Sequence, residues 1–178
     1  MLNINGKTRE KAPFYAEGLC FSCTRCSACC RYEAGYVFLS EKDVSLLAAA
    51  LKIEKMELIG LYCRWIPSLD GKKRLSLKEK PNYDCIFWAD GCSVYESRPL
   101  QCRAFPFWHS AVESRSSWET VSLDCPGIGK GILHSGDSIE KWLALQHKEP
   151  IISKGESWCV SDFGVSGDLC LRRCFLYR

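Results

Sequence analysis

Long apolar stretches are missing from this chain. The longest, Leu46–Leu51, is far short of the roughly 20 residues a membrane helix needs, so a helical span is excluded. The first twenty residues mix Lys7, Arg9, Glu10, Lys11 and Glu17 and hold no apolar core of a signal peptide. The expectation is therefore a cytoplasmic protein. A surplus of one charge is also missing: 24 Lys and Arg against 21 Asp and Glu leave +3, too little for charge alone to argue for a nucleic-acid or membrane partner. Histidine is scarce, with only His109, His134 and His147, far apart in sequence. Any metal site must accordingly be rich in thiolate. No Ser/His/Asp set, spaced carboxylate pair, internal repeat or low-complexity linker stands out.

What is abundant is cysteine. The 178 residues fit one domain, and 13 of them are cysteines, about 7% and just under the level of a small disulfide scaffold. Thiols in a reducing compartment favour metal over disulfide.

Outside the cysteine-rich segment the periodicity is readable. Tyr36 to Leu39 is a short extended segment. Ser40, with Asp43 three residues on, has the pattern of a capping box, and Val44, Leu47, Ala48 and Leu51 then share one helical face, predicting a helix over 41–52. Leu58, Leu61, Tyr62 and Trp65 predict a second over about 55–65. Asp70-Gly71 tolerates the positive φ of a hairpin turn, with Arg74 to Lys78 as the return strand. A second hairpin is expected through Ile86–Trp88 and Ser93–Tyr95, turning at Ala89-Asp90-Gly91. Val121 to Asp124 is read as a strand, and a last helix runs from Asp137 to about 147. Residues 151–178 carry no clear periodicity and are expected to form a tail of uncertain order.

The informative segment is Cys20-Phe-Ser-Cys23-Thr-Arg-Cys26-Ser-Ala-Cys29-Cys30, five thiols in eleven residues. C-x-x-C lets a tight turn aim two sulfurs at one ion, a spacing common to zinc and iron–sulfur sites. Adjacent Cys29 and Cys30 add information, because consecutive side chains of an extended chain point to opposite sides. Either two centres lie side by side or one thiol is a spectator. Two four-ligand sites need further donors from Cys63, Cys85, Cys92, Cys102 or Cys125. Of these, Cys85 and Cys92 flank the expected hairpin tip, Cys102 follows Arg98-Pro99, and Cys125 precedes Pro126-Gly127, all places where turns present ligands. Four thiolates satisfy zinc. Cys23-x-x-Cys26-x-x-Cys29 with remote Cys125-Pro126 equally matches bacterial ferredoxin spacing. Arg25, Arg31, Arg98 and Arg103 stand near candidate ligands and are read either as donors to thiolate sulfur or as solvated surface arginines.

Cys23-Thr-Arg-Cys26-Ser-Ala-Cys29-Cys30-Arg31, Gly35-Tyr-Val-Phe-Leu-Ser-Glu-Lys-Asp43, Cys85-Ile-Phe, Gly91-Cys92-Ser-Val-Tyr95, Arg98-Pro99-Leu-Gln-Cys102-Arg103-Ala-Phe105-Pro106-Phe107 and Cys125-Pro126-Gly127 together resemble the YkgJ-like CxxCxxCC family. The resemblance covers about residues 14–131. It implies a zinc- or iron-chelating domain and nominates Cys23, Cys26, Cys29, Cys30, Cys85, Cys92, Cys102 and Cys125 as ligands. Cys20, Cys63, Cys159, Cys170 and Cys174 fall outside its pattern. A similar cluster occurs in flagellin lysine methylases.

Three other features carry a functional and a plainer reading. Gly127-Ile-Gly129-Lys-Gly131 is either a nucleotide-binding loop or a relaxed turn bearing Cys125. Phe105-Pro106-Phe107-Trp108 is either a stacking platform or core that shields a metal. Lys72, Lys73, Arg74, Lys78 and Lys80 are either a phosphate patch or a solvated loop, and His109 either replaces a cysteine ligand or is simply exposed. The sequence thus predicts an α+β single domain, small and irregular, with short helices and β-hairpins organised around cysteine-ligated metal. A chelating domain over 14–131 would be followed by a C-terminal helix over 132–150 and the tail over 151–178. The expected function is chelation of zinc or iron, the iron as an ion or an iron–sulfur cluster, without catalytic activity of its own. Metal ions are the expected partners, with no membrane and with nucleic acid disfavoured. The alternatives are a cluster-dependent modifying enzyme of the lysine-methylase sort, disfavoured because no separate substrate domain remains, and a zinc module binding nucleic acid.

Overall fold

In the computed structural model, which describes residues 12–155, the chain builds two small hydrophobic cores rather than one. The first begins at the capping box. Ser40 Oγ accepts from the Asp43 amide at 3.2 Å while Asp43 accepts from the Ser40 amide at 2.9 Å, so two donors that open a helix are satisfied reciprocally. The helix that follows, α1 (Glu41–Leu51), buries Val44, Leu47 and Ala48. Helix α2 (Lys55–Tyr62) adds Leu58 and Ile59.

The expected second helix stops three residues early. At Cys63 the chain becomes extended as β2 (Cys63–Pro67), which pairs antiparallel with β3 (Lys73–Leu77), Trp65 lying opposite Leu75. Trp65 fits the helical spacing, but β-branched and aromatic residues suit a pleated surface, and five cross-strand pairs outweigh the three further residues of helix. The turn between the strands is as expected, with Gly71 at φ 76°. Fully buried Leu47, Leu58 and Leu75 anchor this core, each worth roughly 1.5–3 kcal/mol.

The second core is helical. Helix α3 (Leu100–Ala104) leads into α4 (His109–Val112) and α5 (Arg115–Asp124). Residues 121–124 are therefore helix, not strand. Ser114 Oγ caps α5 by accepting from the Ser117 amide at 3.1 Å, and Trp118 is the one residue this helix buries, too few for a periodic signal. After a two-stranded antiparallel sheet of β1 (Leu19–Phe21) and β4 (Ile132–His134), α6 (Gly136–Lys148) contributes Ile139 and Leu143. These pack with Tyr15, Phe107, Val112 and Trp118. The tail expected from residue 151 is in part ordered: Ile151 bridges Ser40, and β5 (Ser153–Lys154) adds to β3. The remainder of that segment, with Cys159, Cys170 and Cys174, lies outside the described residues. The whole is mixed α+β with two small antiparallel sheets, and no described helix is long and apolar enough to cross a membrane.

Tyr15 ties the entering chain to α6 through a 2.7 Å hydrogen bond to Glu140. Burial, then that bond and the Glu140 charge, push its hydroxyl up from 10.0 to about 12. A raised phenol contributes stability below its unfolded pKa of about 10, which is lost as pH climbs to about 12. Tyr15→Phe is expected to cost about 1–2 kcal/mol at neutral pH and to flatten the alkaline loss. Urea midpoints followed across that window test both.

Candidate metal centre

Five separate stretches deliver the thiols. Strand β1 docks on the turn after α5, the Gly129 amide donating to the Cys20 carbonyl at 2.9 Å and the Ser22 amide to that of Gly127 at 3.2 Å. This brings Cys125, the residue that caps α5, beside the start of the cysteine run. The approach is close enough that a Cβ on Gly127 would lie 2.3 Å from the Ser22 carbonyl oxygen. The glycine-rich stretch is thus a packing turn that follows a helix, and the nucleotide-loop reading loses its strand. Gly127→Ala should cost about 1–3 kcal/mol and lower metal retention, measured by denaturation and by metal content.

Beyond β1 the run turns sharply. Arg25 and Ser27 take left-handed φ of 56° and 66°, and the Arg25 amide donates to Cys23 Sγ at 3.4 Å. A short 3-10 turn, Ala28–Cys30, then sets Cys29 Sγ 3.7 Å from Cys30 Sγ. The Cys30 carbonyl accepts from the Cys85 amide at 2.8 Å. Arg31 and buried Asp84 reinforce this junction with a 3.0 Å ion pair. Burial pushes the Asp84 carboxyl up, but hydrogen bonds from Arg31 and Asn82 outweigh it and hold the group below the usual range.

Cys85 and Cys92 sit on the expected turn, with Asp90 and Gly91 at positive φ. The arms, however, are not strands. One bridge joins Trp88 to Cys92, the Ser93 amide donates to the Phe87 carbonyl at 2.9 Å, and the chain enters a 3-10 turn at Tyr95–Ser97. Cys102 comes from α3, whose first amide, Leu100, donates to buried Asp43 at 2.7 Å.

The thiols act on one another. Cys102 feels the charges of Cys85, Cys29 and Cys92, and Cys30 those of Cys29, Cys102 and Cys85. Cys92 feels Cys29, and Cys125 feels Cys26 and Cys29. Burial raises the thiols of Cys85, Cys92, Cys102 and Cys125 first, and these neighbours raise them further. Cys30 is raised chiefly by its hydrogen bond to Cys29, and Cys29 is lowered chiefly by that same bond, with Arg98 assisting against burial. Like charges this close cannot all ionise without a cation. Among the described residues no group of three or more His, Cys, Asp or Glu is already spaced to hold an ion. The donor chemistry nevertheless suits a soft-ligand metal: the thiols lie within electrostatic reach of one another and of a guanidinium, Arg98, whose charge favours thiolate at Cys29, Cys92 and Cys102.

Other candidates take ordinary roles. Cys63 is buried in the first core, which pushes its thiol up to about 12. Cys20 lies on β1. His109 is exposed and packs edge-on against His147, ring centroids 4.8 Å apart. Lys78 donates to the Gly60 and Leu61 carbonyls at the end of α2, and Arg74 pairs with Asp70. Phe107 belongs to the second core. Sequence reading missed the aromatic supports of the arginines. Arg98 and Arg25 lie 3.6 and 4.5 Å from the Tyr95 ring centre, and Arg31 lies 3.7 Å from that of Trp88. Arg98 and Tyr95 share one turn, whereas Arg25 with Tyr95 and Arg31 with Trp88 join separate turns, which no local pattern announces.

A family model described as "CxxCxxCC: Putative zinc- or iron-chelating domain" matches residues 22–126. No solved structure matches the chain.

Proposed function

Since the chain belongs to the CxxCxxCC family, we propose that it binds zinc or iron through Cys23, Cys26, Cys29, Cys30, Cys85, Cys92, Cys102 and Cys125. The observation that carries this reading is the meeting of the cysteine run with a distant turn: Cys29 Sγ lies 3.7 Å from Cys30 Sγ, and the Cys30 carbonyl accepts from the Cys85 amide at 2.8 Å. Thiols from such distant stretches, left empty, would repel on ionising; an ion compensates them and stabilises the turns that carry them. Bound zinc would act as a structural tie, while iron, as an ion or an iron–sulfur cluster, would add redox chemistry. The protein's own part is to supply sulfur, to bring Arg98 near it and to keep Cys30, Cys85 and Cys102 partly out of water.

Anaerobic purification with metal analysis and a visible spectrum tests the reading. Zinc in a colourless protein, or iron with sulfide-linked absorbance in a brown one, is the expected result. A protein that retains neither metal when reduced and supplied with both contradicts it.

A further inference from the structure

We propose that Tyr95 is the latch of the metal site: its ring holds Arg25, and with it the loop of residues 23–26, against the turn that follows Cys92, and the parting of that contact is the step through which metal enters and leaves. The inference rests on the metal-binding reading above and adds to it the residue that governs the rate of exchange.

The loop is fastened firmly at its ends and lightly in its middle. Before it, the Ser22 amide donates to the Gly127 carbonyl at 3.2 Å and the Ile132 amide to Ser22 Oγ at 3.1 Å. After it, the Cys30 carbonyl accepts from the Cys85 amide at 2.8 Å, and Arg31 is held both by Asp84 at 3.0 Å and by the Trp88 ring at 3.7 Å. Between these anchors, among the described residues, no hydrogen bond joins residues 23–28 to a distant stretch. What reaches across is Arg25, whose guanidinium lies 4.5 Å from the centre of the Tyr95 ring. Tyr95 is itself well placed to receive it: Arg98 donates from Nε to the Tyr95 carbonyl at 2.9 Å and stacks on the same ring at 3.6 Å. An exposed guanidinium on an aromatic ring shifts an equilibrium by only about two- to fivefold, so the middle of the loop parts far more readily than its anchors. Arg25 and Ser27 also hold left-handed φ of 56° and 66°, conformations that persist only when the surroundings impose them. Once the ring lets go, the loop can relax. Cys23 and Cys26 flank Arg25 and are exposed, so theirs are the sulfurs that swing away and open the site to a competing ligand.

The full-length reduced protein, loaded anaerobically with whichever of zinc and iron it retains, is mixed with an excess of the chromogenic chelator pyridylazoresorcinol, and release is followed by absorbance. Tyr95→Leu should release metal about two- to fivefold faster than the unaltered protein, with the urea midpoint of the metal-free form little changed. Tyr95→Phe keeps the ring and should restore the slow rate. Arg25→Gln, at an exposed residue, should speed release by a similar factor, and the double variant by no more than either single one, because the two residues make one contact. Where Tyr95→Leu disturbs the fold, Arg25→Gln decides: faster release supports the latch and unchanged release overturns it. A Tyr95→Leu rate equal to the unaltered one, a Tyr95→Phe rate as fast as that of Tyr95→Leu, or effects of Arg25→Gln and Tyr95→Leu that multiply also overturn it, while leaving metal binding intact. Failure to hold zinc or iron at all overturns both.

Discussion

Removing the metal from the reduced protein should loosen the cysteine-bearing turns by several kcal/mol, the largest effect expected of any single treatment. Structural zinc contributes about 10–16 kcal/mol in small zinc-dependent peptides. Here the effect is smaller because two hydrophobic cores do not depend on it. The turns do. Between β1 and α1 the only regular element is the 3-10 turn Ala28–Cys30, and between β3 and α3 it is Tyr95–Ser97. Their positions rest on local turn hydrogen bonds, the Cys85–Cys30 link among them, with Phe87 and Val94 pinning the second segment to the first core. Amide hydrogen exchange of loaded and chelator-stripped protein should therefore show faster exchange over residues 23–35 and 83–99, with α1, α2 and α6 little changed. Equal protection in the two forms would show that the turns hold themselves.

The second large effect is expected from Asp43, which is 2% exposed. It accepts from the Ser40 amide at 2.9 Å, the Ser40 hydroxyl at 2.8 Å and the Leu100 amide at 2.7 Å. Asp43→Ala removes the reciprocal half of the capping box, the acceptor of the Ser40 amide, worth about 1 kcal/mol, and leaves the buried Leu100 amide without its partner, at about 1–3 kcal/mol more. The total, about 3 kcal/mol, should appear in urea denaturation. Because Leu100 opens the helix that carries Cys102, metal content should fall in the same variant. Asp43→Asn retains acceptor capacity and should lose less of both. An alanine variant that keeps full stability would show that Leu100 finds another acceptor.

How far the sequence reaches is visible in these residues. Ser40 and Asp43 announce α1 because a capping box is a local pattern, and the same Asp43 then reaches Leu100, 57 residues away, which no local pattern can show. Trp65 misleads for the opposite reason. Its helical spacing from Leu58, Leu61 and Tyr62 is genuine, but a cross-strand partner at Leu75 decides its state. Helix α5 escapes notice because it buries only Trp118. The turns bearing Cys85, Cys92 and Cys125 are legible from Asp-Gly and Pro-Gly, whose backbone preferences are intrinsic. Which thiols become neighbours is not legible there, since it depends on how α3 and the turn after α5 dock, and that is set by Asp43, Gly127 and Ser22. Arg31 shows the same limit: its proximity to Cys30 suggests a sulfur partner, and the structure pairs it with Asp84.

Sulfur ligation of a metal by this one chain is tested most directly by X-ray absorption at the zinc or iron edge of the anaerobically loaded protein. The account predicts a first shell made of sulfur, about four atoms at about 2.3 Å for zinc. A shell of oxygen and nitrogen with no sulfur would contradict it.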